Sequence, residues 1–129
     1  MSLSSIELFA GAGGLALGVE RAGFNHIAVL ERDPLACETL RANTCWPLFE
    51  SDVREFDYGS VQPSIDILCG GPPCQPFSLG GKGRASLDLR DMFPESIRAV
   101  RALQPKAFLF ENVKGLMREK TGPYLEYVR

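Results

Sequence analysis

The residues most suited to chemistry are a thiol and a carboxylate, each placed just after an apolar run. Cys74 stands in GGPPCQPFS, residues 70–78, between Pro72–Pro73 and Gln75–Pro76. A nucleophilic cysteine needs exposure, a fixed direction and a lowered pKa. Flanking prolines stiffen the approach and leave little entropy to lose on ordering. They also remove amide donors, so the stretch is not built to join a strand ladder. The loop that follows, SLGGKGRASLDLRD, offers Gly80, Gly81 and Gly83 as hinges and Lys82 and Arg84 as phosphate contacts. Beside a nucleophile, such a loop reads as a lid over a polyanionic substrate; without the cysteine it would read as plain surface. Glu111 follows the apolar AFLF of residues 107–110. Partial desolvation there should raise its pKa, so that it could hold or donate a proton at a ring nitrogen. A glutamate in that place could equally cap a helix or pair with an arginine.

A second group of residues points to a nucleotide-like cofactor. FAGAGGLA contains Gly11-x-Gly13-x-x-Ala16, and Glu31 lies 20 residues after Gly11. Glycines allow a sharp turn and close backbone approach, and the acid can take the two hydroxyls of a ribose. The alternative is that the glycines serve only a tight turn and close helix packing. Asp52 adds a second acid, suited to an adenine amino group. A pyrophosphate prefers bare amides and positive dipole. The acids of the first half suit a positively charged sulfonium cofactor better, which favours S-adenosylmethionine over NAD.

These residues need elements to position them. SIELF (5–9), HIAVL (26–30), residues 49–53, IDILC (65–69) and AFLF (107–110) read as strands. Helices are expected over 15–22, with Gly23 as the stop, and from Asp33–Pro34 to about Asn43. A third is expected over 91–103, with Pro94 in its tolerant first turn. Alternation of this kind predicts an α/β fold with a doubly wound, mostly parallel sheet. Ligands bind such sheets beyond the carboxyl ends of the strands. Gly11–Gly14, Glu31–Asp33, Asp52–Val53, Pro72–Cys74 and Glu111–Val113 all fall there. His26, just after Gly23-Phe24-Asn25, reads as a loop or strand-edge residue.

The bulk numbers set the frame. A chain of 129 residues with 45% hydrophobic and 23% charged residues is enough for one globular domain. No apolar run nears the ~20 residues of a membrane span, and no secretion signal opens the chain. A cytoplasmic location is therefore expected. Cys37, Cys45, Cys69 and Cys74 show no paired C-x-x-C spacing, so neither zinc nor a disulfide framework is expected. Cys37, Cys45 and Cys69 read as small buried or half-buried apolar residues. Net charge is -2, yet residues 1–79 carry 4 Lys/Arg against 10 Asp/Glu, and residues 80–129 carry 10 against 6. The basic second part could face a polyanion or be scattered surface charge.

Taken together, these segments resemble the cytosine-5 DNA methyltransferase family. ELFAGAGGLALGVERAGF is similar to its cofactor loop, ERDPLACETLRAN to its ribose-acid segment and SDVREFD to its third-strand segment. GGPPCQPFS resembles the catalytic loop, with GKG and DLRDMF fitting its extension, and FENVKGL resembles the Glu-Asn-Val signature. Five blocks in order across nearly the whole chain make the resemblance specific. It implies a Rossmann-like methyltransferase fold using S-adenosyl-L-methionine. It implies that a cytosine is flipped from double-stranded DNA, that Cys74 attacks carbon 6 and that Glu111 stabilises the activated ring. Carbon 5 then takes the methyl group, and loss of its proton expels Cys74. By the same resemblance Phe9, Gly11, Ala12, Gly13, Gly14 and Leu15 line the cofactor. Glu31 takes the ribose, Arg32 packs near the adenine, Asp52 and Val53 read it, and Pro73 borders the methyl group. Gln75, Ser78, Lys82 and Arg84 would meet the substrate.

The family also uses a later Arg-x-Arg segment, a variable target-recognition region and a closing helix. None occurs here, so residues 1–129 are expected to be the amino-terminal portion of one catalytic domain. Its target-recognition region would come from a carboxy-terminal segment or a second chain. The resemblance also implies a bacterial restriction-modification context and association with the nucleoid through DNA. The alternatives are a tRNA cytosine-5 methyltransferase, a catalytically idle binding module of the same fold and, on the glycine pattern alone, an NAD-linked oxidoreductase.

Overall fold

The computed structural model describes residues 2–61, 64–73 and 92–114. Its elements follow the chain as β1 (Leu3–Leu8), α1 (Gly14–Arg21), β2 (Phe24–Glu31), α2 (Pro34–Asn43) and β3 (Leu48–Glu50). A single 3-10 turn (Tyr58–Ser60), β4 (Ile67–Gly70), α3 (Phe93–Leu103) and β5 (Ala107–Phe110) complete them. The strands form one sheet in the order β3-β2-β1-β4-β5, and every neighbouring pair is parallel. The order turns back at β1, so the crevice between the carboxyl ends of β1 and β4 is where this topology binds ligands.

Parallel sheets are covered on both faces, and the side chains here divide accordingly. Ile6, Leu8, Ala28, Leu30 and Leu68 face Val53, Tyr58, Ile65, Met92 and Ala99, which places α3 and the 3-10 turn on one side. Ala10, Val29 and Leu40 pack with Trp46 and Leu48 on the other, under α2. A fully buried Leu or Ile contributes ~1.5–3 kcal/mol relative to exposure, so the first cluster holds most of the apolar stabilisation. Local signals agree with the elements. Asp33 caps α2 by accepting from the Ala36 amide at 2.9 Å, with Pro34 at the first helical position. Pro94 sits in the first turn of α3.

Several boundaries and two residues differ from the sequence reading. β3 ends at Glu50 because Asp52 turns the chain: its Oδ1 accepts from the Arg54 amide at 2.9 Å, and its carbonyl from the Glu55 amide at 3.0 Å. Val53 is therefore buried beyond the strand, not in it. β4 begins at Ile67 because the Asp66 carboxylate accepts from the Ser4 amide and hydroxyl at 2.7 and 3.0 Å. His26 is neither a loop nor an edge residue. It lies buried inside β2, where Nε2–H donates to the Ala16 carbonyl and Nδ1 stands 2.9 Å from the Ser5 hydroxyl. Cys37 and Cys69 are buried free thiols, but Cys45 is exposed. Among the described residues no helix is long and apolar enough to cross a membrane, and no group of His, Cys, Asp and Glu could hold a metal ion.

Candidate functional site

The strand ends build a cleft from backbone features that only certain residues tolerate. After β1 the chain takes a left-handed turn at Phe9 (φ 55°) and again at Gly11 (φ 54°) and Gly13 (φ 89°). For a bulky aromatic residue this is a sparsely occupied conformation, costing of order 1 kcal/mol, and such strain gathers at ligand sites. The turn closes through the Gly13 amide on the Ala10 carbonyl at 2.9 Å, and α1 starts at once. Glu31, at the end of β2, pins it from across the cleft. Its Oε2 accepts from the Gly11 amide at 2.7 Å, and its Oε1 accepts from the amides of Arg32 and Asp33, each at 2.8 Å.

Phe9, Glu31, Arg32, Asp52, Val53 and Pro73 line one cavity of about 200 Å³. Pockets that enclose a whole drug-sized ligand begin near ~300 Å³, so the described residues form part of a crevice. Leu30, Ser51, Gly71 and Met92 also line it and were not picked out from the sequence. Leu30 and Ser51 flank predicted residues and could have been found by position, whereas Met92 gives no sequence signal. The walls are apolar, from Phe9, Leu30, Val53 and Met92, and one end carries two acids.

Those acids differ in their electrostatics. Asp52 is forked by Arg54, whose Nε reaches Oδ1 at 2.9 Å and Nη2 reaches Oδ2 at 2.7 Å, and Arg32 Nη1 stands 3.4 Å from Oδ2. The Arg54 hydrogen bonds hold the Asp52 carboxyl far below the usual range, against an opposing push from burial. With the Arg54 amide also on Oδ1, four donors occupy its roughly four acceptor positions. Glu31 has three filled, which leaves about one open.

The other predicted residues are not drawn into this cavity. Gly13 is buried, and a Cβ there would meet Leu40 Cδ2 at 2.7 Å and Trp46 Cζ3 at 2.9 Å. Its glycine serves close packing of the loop on α2. Gly11 reaches the site only through its bond to Glu31. Ala12 and Gly14 are exposed and Leu15 is half-buried, away from the cavity lining. Glu111 follows β5 with its amide on the Gly70 carbonyl at 2.9 Å. Its Oε2 comes within 3.4 Å of where a Cβ on Gly71 would be, which brings the carboxylate to the rim that leads to Pro73. Glu111 is exposed, so the desolvation expected for it is not found among the described residues. Beside it, Asn112 Nδ2 donates to the Pro72 carbonyl at 3.2 Å and ties the β4 and β5 ends together. Gly70 must be glycine, since a Cβ there would stand 2.7 Å from the Leu8 carbonyl. Cys74, Gln75, Ser78, Lys82 and Arg84 lie outside the described residues.

Comparison with known proteins bears on the family and the fold. The type II methyltransferase M.NgoMIV of Neisseria gonorrhoeae is 49% identical over 129 residues, covering 99% of this chain and 41% of that protein. M.Eco47II of Escherichia coli, also a type II methyltransferase, is 44% identical over 126 residues, covering 96% of this chain and 30% of its own. A prophage-encoded DNA modification methyltransferase from E. coli superposes with a TM-score of 0.80 at 35% identity, over 98% of this chain and 36% of that one. The S. pombe Dnmt2 methyltransferase, at 20% identity and a TM-score of 0.72 over 98% of this chain and 39% of its own, shares the fold. The chain thus spans less than half the length of these proteins. The model of the C-5 cytosine-specific DNA methylases matches residues 3–128, and the chain belongs to that family.

Proposed function

We propose that residues 1–129 are the amino-terminal portion of a single cofactor-binding and catalytic domain. The domain transfers a methyl group from S-adenosyl-L-methionine to carbon 5 of cytosine in double-stranded DNA. The observation that carries this reading is the meeting, at one sheet edge, of the two-acid cleft, the Pro72–Pro73 approach to Cys74 and the Glu111 carboxylate. The cleft suits the cofactor, with apolar walls for a purine and an open acceptor position on Glu31 for a ribose hydroxyl. S-Adenosyl-L-methionine supplies an electrophilic methyl group on sulfur. Phe9, Val53 and Met92 would exclude water around the purine, Glu31 would orient the sugar, and Asp52 would face the adenine amine. Gly11, Ala12, Gly13, Gly14 and Leu15 would form the loop that carries the remaining cofactor contacts, with Arg32 over the purine and Pro73 beside the methyl group.

In the reaction, the Cys74 thiolate adds to carbon 6 of a flipped cytosine, and Glu111 holds a proton at ring nitrogen 3 and accepts from the exocyclic amine. The electrons pushed to carbon 5 take the methyl group, and removal of the carbon 5 proton expels Cys74. Gln75, Ser78, Lys82 and Arg84 would contact the flipped nucleotide and its backbone. The activity fits a bacterial restriction-modification system, in the cytoplasm and at the nucleoid.

Target recognition would come from a carboxy-terminal continuation or a second chain, and β5 is the surface suited to receive it. Ala107, Phe108 and Leu109 are all exposed on this edge strand, with Phe108 at 57% and Leu109 at 49%. An apolar parallel edge left open among the described residues is a site that proteins normally cover. The relatives' extra length is the occupant we favour.

The test is DNA containing 5-fluorocytosine, in which the carbon 5 substituent cannot leave as a proton. The full-length protein with cofactor should form a covalent adduct that is lost in Cys74→Ala. Adduct on RNA and not on DNA would instead assign an RNA substrate. No adduct on either would overturn the reading.

A further inference from the structure

Val53 and Arg54 belong to the turn at the acid end of the cleft, and their carbonyls are held from behind. The Val53 carbonyl accepts from the Tyr58 hydroxyl at 3.0 Å and from Arg98 Nη2 at 3.1 Å. The Arg54 carbonyl accepts from the same Nη2 at 3.4 Å. Arg98 is fixed in turn. Its Nε donates to Glu95 Oε2 at 2.7 Å, one turn earlier on α3, and its guanidinium lies 5.0 Å from the Tyr58 ring centroid. Arg98 does not line the cavity, yet it reaches across 45 residues of sequence to do this.

The helix that carries it meets the cavity a second time. Met92, the residue before α3, is buried and forms part of the cavity wall. At 1.5 Å per residue, Met92 and Arg98 stand about 9 Å apart along the helix. α3 therefore supports the cleft at two points, a wall and the rear of a turn. The turn in question carries Asp52, whose acceptors are filled by Arg54 and Arg32. For an adenine amine to bond to Asp52, one donor must leave, and the longest bond is that of Arg32 at 3.4 Å. The orientation of the carboxylate then depends on Arg54, and that of Arg54 on the backbone that Arg98 clamps.

We propose that Arg98 is a positioning residue for the cofactor, holding the Asp52–Val53–Arg54 turn in the orientation that reads the adenine and tying that turn to α3. The proposal rests on the assignment of the cleft to S-adenosyl-L-methionine. Arg98 acts through the turn and touches no reacting group, so its loss changes which purine is preferred more than it changes chemistry.

The experiment measures binding of S-adenosylhomocysteine and of its inosine analogue, in which a carbonyl replaces the adenine amine, to the full-length protein. Wild type prefers the adenosine form. Arg98→Met should weaken the adenosine form by about tenfold, the worth of one hydrogen bond to a charged group, and leave the inosine form nearly unchanged. The preference then collapses. In turnover, the KM for the cofactor should rise more than kcat falls. Arg98→Lys should restore part of the preference, and Glu95→Gln, which leaves the carbonyl bonds in place, should retain it. An Arg98→Met protein that melts earlier but discriminates as well as wild type would show a merely structural arginine and overturn the proposal. Wild type that binds neither ligand would overturn the cofactor assignment itself, and this proposal with it.

Discussion

The two flanks of the sheet are paired alike but buried differently. β1 and β2 share five registered pairs, and β4 and β5 share four, so each pair is laddered along its shared side, while the outer side of edge strand β5 has no strand partner among the described residues. Yet the last four residues of β1 are all buried, whereas β5 shows three exposed residues and one half-buried. Position in the sheet separates them: β1 is central with a strand on each side, β5 is an edge strand, and the other edge strand, β3, is likewise half-buried to exposed. Among the described residues, α1 and α2 pack on the β2–β3 side and little covers β5. A shared ladder can thus be finished before hydrophobic burial is, because the ladder needs one neighbour and burial needs a second layer.

The largest effect should come from equal truncations on the two flanks. Leu8→Ala removes a fully buried side chain and should cost ~2–5 kcal/mol in a denaturant titration. In residues 1–129 alone, Leu109→Ala, at 49% exposure, should stay within ~0.5 kcal/mol. Equal losses would break the comparison.

A smaller effect should come from Glu7, the one liability on the buried flank. It is 1% exposed, with Oε2 lacking any partner among the described residues, beside Val29 and Cys69 in register. Burial pushes its carboxyl up to about 8 from 4.5, and its charge helps burial push the Cys69 thiol up to about 12. Because the folded pKa lies above the unfolded one, folding takes up a proton between those values. Stability is full below about 4.5 and declines as pH rises toward about 8, by at most ~1.4 kcal/mol per unit. Glu7→Gln should flatten that decline and raise the melting temperature most at pH 8. A pH profile unchanged by the substitution would mean that the acid finds a partner when ionised.

The smallest effect is chemical. A thiol reagent followed by peptide mapping should modify exposed Cys45 in the native state, and Cys37 and Cys69 only on unfolding. Native labelling of Cys69 would show that the buried flank opens.

The sequence carried the periodic and local features well. AFLF was found at its true bounds, Asp33–Pro34 marked the start of α2, and Pro94 was rightly tolerated in the first turn of α3, because capping and proline geometry act over a few residues. Glu31 was found by its spacing from Gly11. Its bond to the Gly11 amide was not, since that needs β1 and β2 side by side. His26 was misplaced for the same reason: its partner Ser5 is 21 residues away, across a strand pair. The turn at Asp52 was read as strand because its side chain competes with the ladder for the backbone. Glu7 had a signal that went unused, a lone acid in an apolar strand. Arg98 had none, being one of two arginines on an amphipathic helix until Val53 is brought beneath it.

The strand order has a consequence in time. β1 is the first strand made and the central one, and its second neighbour is β4, so Ser5 must wait for Ile67. At the ~5–20 residues per second of synthesis, those 62 residues take roughly 3–12 s. Through that interval Ile6 and Leu8 leave the ribosome with one flank unpaired, and the nascent chain is at its most dependent on whatever shields it there.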